Sequence, residues 1–178
     1  MELWDIYDIN VQKTEHTVMR GDHLKTGEYH LVVCACIFNK DGQMLIQQRQ
    51  KDKIGWPSKW DLSAAGSVLA GEDSRAAIQR ELFEELGLNI SFSSKRPIIT
   101  VNFSRGFTDY YCIEKDVDIN TLKLQEDEVQ NAKWADRETI LNMIDTEEFI
   151  PYYKSLIYCL FQMRNSTGSH IRDEFNEL

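Results

Sequence analysis

Three glutamates, Glu81, Glu84 and Glu85, stand three and four residues apart in the run GSVLAGEDSRAAIQRELFEELGL, residues 66–88. At roughly 100° per residue they form one acidic stripe of a helix, with Ile78, Leu82 and Leu86 as an apolar stripe about a quarter turn away. The apolar stripe can bury against a sheet while the acidic one faces a cleft. Like charges at these spacings repel unless something cationic lies between them. Clustered carboxylates suit a hard divalent cation, and Mg²⁺ is commonly held by a few carboxylates together with substrate phosphate oxygens. A charge run is more often a solvated helix face, but here the flanking glycines and Arg80 fall into the same pattern. Gly66 and Gly71 bracket a short loop where bare backbone can approach a ligand and helix N-terminal amides can meet phosphate. Gly87 can end the helix in a left-handed cap. Glu72 and Arg80 are about two turns apart, so they can pair only if the loop before the helix curls back.

The run resembles the Nudix box, G-x5-E-x7-R-E-U-x-E-E-x-G-U with U aliphatic, at every specified position. The resemblance implies a Mg²⁺-dependent hydrolase, with Mn²⁺ as a substitute, acting on a nucleoside diphosphate linked to some group X. It implies metal binding by Glu81, Glu84 and Glu85 with the carbonyl of Ala65. Gly66, Glu72 and Gly87 become structural members, Glu72 bracing the loop with Arg80. Many members add a glutamate six residues before a tryptophan that opens a late strand. EVQNAKW offers Glu128 before Trp134, with Glu126 and Asp127 as close competitors. Arg80, Glu84 and Glu128 are then the catalytic candidates, and the general base is Glu84 or Glu128. Basic Arg49, Lys51 and Lys53 could meet the phosphates.

Outside the box, GDHLKTGEYHLVVCACIFNKDGQMLIQQR, GWPSKWDLSAAG and EDEVQNAKW resemble the branch that includes isopentenyl-diphosphate isomerase. In that enzyme two histidines at the spacing of His23 and His30 bind metal. His23 and His30 are therefore metal candidates, and His30 a substrate-side candidate as well, against the plainer reading of His30 as a half-buried strand histidine. The isomerase's catalytic cysteine would directly precede Gly66, where Ala65 stands, and a histidine ligand would follow, where Ser67 stands. Alkene protonation needs those groups and diphosphate hydrolysis does not, so hydrolase is the preferred reading. A third reading is a sensing module that binds a nucleotide without cleaving it, but such modules usually carry a damaged box. Trp56, Trp60, Phe103, Phe107, Tyr110 and Tyr111 are aromatic candidates for stacking on X, or core residues.

A chain of 178 residues, 42% of them hydrophobic, fits one domain. The expected divisions are an N-terminal extension over 1–27, a core over 28–163 and a polar tail over 164–178. A net charge of −9 argues against a nucleic-acid partner, leaving a small diphosphate compound; a homodimer stays open. The four cysteines form neither a CxxC pair nor a dense framework. Cys34 and Cys36 alternate on one strand face as small hydrophobes. The opening MELWDIYDIN lacks a basic region before an apolar stretch, and no long apolar run follows, so the expected location is cytoplasmic without membrane contact.

The elements needed to hold the box are strand-rich. Residues 4–21 read as a hairpin, and LVVCACIFN and QMLIQQR as strands joined at Lys40-Asp41-Gly42. In GWPSKWDLSAAG, Pro57 and its neighbours read as a loop that leads into the box. Strands follow near 96–104, 107–114 and 132–135, with a polar stretch over 115–128. Asp136 caps a helix over 137–145, and Pro151 opens another to about 163. The expected class is α/β. The resemblance makes it a Nudix fold, an α/β/α sandwich with a mixed β-sheet, here with an N-terminal β-hairpin.

Overall fold

The computed structural model describes residues 2–165 and Gly168. Nearly all of the expected polar tail therefore lies outside the described residues. A two-stranded antiparallel hairpin comes first, β1 (Leu3–Tyr7) and β2 (Lys13–Met19). The main sheet contains β3 (His30–Phe38), β4 (Met44–Arg49), β5 (Trp60–Asp61), β6 (Ala64–Ser67), β7 (Ile99–Phe103), β8 (Gly106–Glu114) and β9 (Val129–Ala135). The helices are α1 (Ser74–Leu86), α2 (Arg137–Asp145) and α3 (Lys154–Met163).

The sheet is mixed. β3 runs parallel to β8 and antiparallel to β4 and β6, while β9 pairs with β4. β3 is apolar on both faces because both are covered. Leu31, Val33, Ala35 and Ile37 pack with Ala77, Ile78, Leu82 and Leu86 of α1. Cys34, Cys36 and Phe38 pack with α2 and α3 through Ile140, Leu141, Ile157 and Leu160. This gives the α/β/α sandwich. Leu82 and Leu86 are fully buried, each contributing about 1.5–3 kcal/mol, so the apolar stripe of α1 presses it to the sheet and sets the direction of the acidic stripe. Asp73 caps the helix, accepting from Ala76 N–H at 2.8 Å. Gly87 closes it at φ 70°, and an added Cβ there would lie 2.7 Å from Lys123 Cβ.

Three local expectations are corrected. GWPSKWDLSAAG is not simply a loop: Trp60–Asp61 pairs with Gln47 and Gln48, and Ala64–Ser67 pairs with Val32–Ala35. Small side chains conceal the second strand, which is held by its ladder rather than by an alternating pattern. The late strand begins at Val129 because β4 offers partners as far as Arg49. α3 begins at Lys154, three residues after Pro151. Cysteines 34, 36, 112 and 159 are free thiols. Among the described residues, no helix is long and apolar enough to cross a membrane.

Candidate active site

β6 carries its neighbours' chemistry on its open edge. Val68 N–H donates to Leu31 O, and alternation along an antiparallel ladder turns Gly66 toward β3 as well, leaving the main-chain groups of Ala65 and Ser67 directed outward. Two contacts fit this geometry. Ala65 N–H reaches Glu85 Oε2 at 3.3 Å, and Ser67 O accepts from Arg80 Nη2 at 3.0 Å. In an extended strand the carbonyl of Ala65 shares its amide's side and so lies on the same outward edge.

Arg80 is the hub. Its Nε and Nη2 grip Glu72 Oε1 and Oε2 at 2.8 and 3.0 Å, a bidentate pair formed because the loop before α1 curls back. Its Nη1 reaches Glu81 Oε1 at 2.8 Å and Glu84 Oε2 at 3.0 Å. Glu72 also accepts from Leu69 N–H at 3.1 Å. Burial works against its charge, but Arg80 and that amide outweigh burial and hold its pKa below the usual carboxylate value. Glu81 is different: burial dominates and, despite Arg80, pushes its pKa up to about 7. Its carboxylate fills the space over Gly66, where an added Cβ would lie 1.8 Å from Glu81 Oε1. The box glycine is thus required by its own metal-ligand candidate.

Glu85 is buried at 4% exposure, and burial followed by the charge of Glu81 raises its pKa well above normal. Gln47 Nε2 donates to Glu85 Oε2 at 2.9 Å, while Gln47 Oε1 is buried with no partner among the described residues. Opposite Gln47 on β5 stands Asp61. Asp61 is also buried, accepting from Tyr152 Oη and Leu62 N–H at 2.8 Å each, with Arg49 Nη1 3.9 Å away. Burial raises its pKa against those contacts. Gln47, whose amide holds Glu85, was not legible as a site residue, because it begins the polar Gln47-Gln48-Arg49 end of β4 and nothing local sets it apart.

The remaining candidates are dispersed around this centre. Glu128 pairs with Lys53 at 2.5 Å, and its loop is tied to the last turn of α1 through Gln125 N–H on Glu85 O at 3.1 Å. Arg49 is occupied by Asp61 and by Gly55 O, whereas Lys51 is exposed in a turn. His23 is exposed, and the ring contacts of His30 are with Trp4 and Phe103 instead. Trp60, Phe107, Tyr110 and Tyr111 belong to the core, leaving Trp56 and Phe103 partly exposed.

Hard oxygen donors on one helix face, a carbonyl on the facing strand edge and the orphaned Gln47 Oε1 beside Glu85 fit a divalent cation such as Mg²⁺. In the side-chain arrangement described, Glu81 and Glu84 both turn to Arg80. No three His, Cys, Asp or Glu side chains among the described residues are gathered closely enough to hold a metal ion. Glu84 is 46% exposed at its side chain, so its rotation away from Arg80 meets little packing.

A profile of the NUDIX domain matches residues 28–155. An uncharacterised Nudix hydrolase of Listeria innocua is 48% identical over 170 residues, covering 96% of this chain and 99% of the relative. Isopentenyl-diphosphate Delta-isomerase of Escherichia coli K12 is 29% identical over 131 residues, covering 69% of this chain and 70% of the enzyme. The crystal structure of DR0079 from Deinococcus radiodurans shares the fold at a TM-score of 0.74 and 24% identity, covering 89% of this chain and 99% of that one.

Proposed function

Since the chain belongs to the Nudix family and is a diphosphate hydrolase in the general sense, we propose that it cleaves a nucleoside diphosphate linked to a group X, using Mg²⁺ or Mn²⁺. The observation that carries this reading is the assembly of Glu81, Glu84 and Glu85 along the open edge of β6, with Arg80 among them. Glu81, Glu84, Glu85 and the Ala65 carbonyl would hold the cation, which when bound neutralises the phosphates and acidifies a water. The chain's own groups do the rest. Glu72 holds Arg80 in place, and Arg80 draws Glu81 and Glu84 to one nitrogen, offsetting their mutual repulsion. Gly66 leaves the room that the Glu81 carboxylate occupies, and Gln47 fixes one oxygen of Glu85.

The water's proton goes to Glu84 or to Glu128. Glu84 is the more exposed of the box carboxylates. Glu128 sits on a loop fastened to α1, with Lys53 as counter-charge. Lys53, Lys51 and Arg49 are the cations that could meet the diphosphate, Arg49 only by leaving Asp61. The isomerase reading fails at Ala65, whose methyl cannot move a proton. We read residues 1–178 as one functional unit in which the hairpin serves the site, with a small diphosphate compound rather than nucleic acid as partner.

The test is incubation of the purified chain with Mg²⁺ and a panel of nucleoside diphosphate compounds and other diphosphates, reading phosphate or monophosphate release. Turnover of a nucleoside diphosphate member that chelator abolishes is expected. Silence across the panel, or turnover indifferent to chelator, refutes the reading.

A further inference from the structure

Away from the box, a cavity of about 760 Å³ opens where three segments meet: residues 94–98 leading into β7, the end of β8 at 112–114, and the end of α3 at 163–165. The sheet separates this cavity from the box carboxylates. Cys112, in its wall, is directly paired with Cys36 along the β3–β8 ladder and packs with the side of the sheet that α2 and α3 cover. The box helix α1 covers the opposite side.

The charged residues lining the cavity are three cations, Lys95, Arg96 and Arg164, and one carboxylate, Glu114. None of the four belongs to an ion pair among the described residues. The lining thus holds a surplus of two positive charges in a chain whose net charge is −9. Walls of low dielectric focus such a field and concentrate anions within it. Arg164 is also held in place, its Nη1 donating to Phe161 O at 2.7 Å and its Nη2 lying beside Gly42 of the β3–β4 turn. A guanidinium fixed in this way loses less freedom on binding.

The size of the surplus selects the ligand. A phosphomonoester carries about −1.5 to −2 charges at neutral pH, which matches two positive charges, whereas a carboxylate would leave one uncompensated. Guanidinium forks also fit phosphoryl oxygens in bidentate fashion. Pro97, Ile98 and Met163 supply an apolar wall for an organic group on the ester, and the volume is that of a small-molecule site.

We propose that this cavity is a second, metal-independent site that binds a phosphoryl dianion, free or esterified, between Lys95, Arg96 and Arg164. No box carboxylate takes part, so the site stands apart from the hydrolase reading. Glu114 is its opposing charge and limits how tightly an anion is held.

Cys112 is a reporter inside the site and Cys159 a control outside it, since both are free and partly exposed but only Cys112 lines the cavity. The full chain, in EDTA and at constant ionic strength, is treated with iodoacetamide, and peptide mass spectrometry follows the alkylation of each cysteine. Glycerol 3-phosphate, AMP, inorganic phosphate and acetate are the probes. At millimolar concentration a phosphoryl probe should slow Cys112 several-fold and leave Cys159 unchanged, and acetate should slow neither. Arg96→Gln and Arg164→Gln should each raise the concentration needed for protection about tenfold. Glu114→Gln should lower it, a gain that a loosened fold would not produce. Protection by the esters at lower concentration than by phosphate identifies an esterified ligand, and equal protection identifies inorganic phosphate; both support the site. A Cys112 rate unmoved by every probe, equal protection by acetate, or protection indifferent to all three substitutions overturns it.

Discussion

Glu81→Gln should make the metal-free protein more stable while removing its function. The Glu81 carboxyl is pushed from 4.5 to about 7, chiefly by burial. At ~1.4 kcal/mol per tenfold change in proton affinity, holding its charge in the fold costs about 3 kcal/mol above neutral pH. The sign follows from the protons bound. Between pH 4.5 and about 7 the folded chain retains a proton at Glu81 that the unfolded chain has released, so this group's contribution to stability falls as pH rises through that window and is constant beyond it. A glutamine has no such proton and still offers an oxygen to Arg80 Nη1, though without the charge. The variant should therefore match wild type near pH 4.5 and exceed it by about 2–3 kcal/mol at pH 8, or roughly 4–12 °C in Tm. Urea unfolding at both pH values in EDTA measures this directly. Adding Mg²⁺ should reverse the order, raising the melting temperature of wild type by mass action and leaving the variant unmoved. A variant no more stable than wild type at pH 8, or a gap that ignores pH, would refute the electrostatic reasoning.

Glu84→Gln and Glu85→Gln should each lower turnover roughly 100-fold or more with the fold intact by circular dichroism; near wild-type rates in both would remove these carboxylates from the mechanism. Glu128→Gln should slow hydrolysis far more than Glu126→Gln, and equal small effects would return the base to α1. Gly66→Ala should displace the tip of Glu81 rather than the backbone, so calorimetry should show weakened Mg²⁺ binding with little change in the metal-free melt; unchanged binding would show that the glycine is dispensable. Isopentenyl diphosphate in deuterated buffer should yield no labelled dimethylallyl product by NMR, and label appearing at an enzymatic rate would reinstate the isomerase reading.

Much of the fold could be read in advance because local and global preferences coincide. β3 is an apolar run buried at all but His30 and Val32, α1 has a matched cap at each end, and the Asn39–Gln43 connection contains the expected turn. The acidic stripe was legible because residue type and helical spacing alone determine it. What stayed hidden depends on contacts distant in sequence. Ala64–Ser67 has no pattern of its own and becomes a strand only beside β3. Gln47 gains its role from Glu85, 38 residues away. Trp4 lies on His30 only because the hairpin returns across β3.

The parallel ladder between β3 and β8, in register from His30–Gly106 to Phe38–Glu114, governs when this site can exist. β4 likewise waits for β9. The box helix lies in sequence between strands whose partners arrive much later, so α1 has no complete sheet to press against until nearly the whole chain is present. Local helix formation can begin early, but closing such long loops comes before any reward from the pairing. Competence should therefore appear late and all at once during refolding, with Mg²⁺-dependent activity returning on the same slow phase as β-sheet circular dichroism.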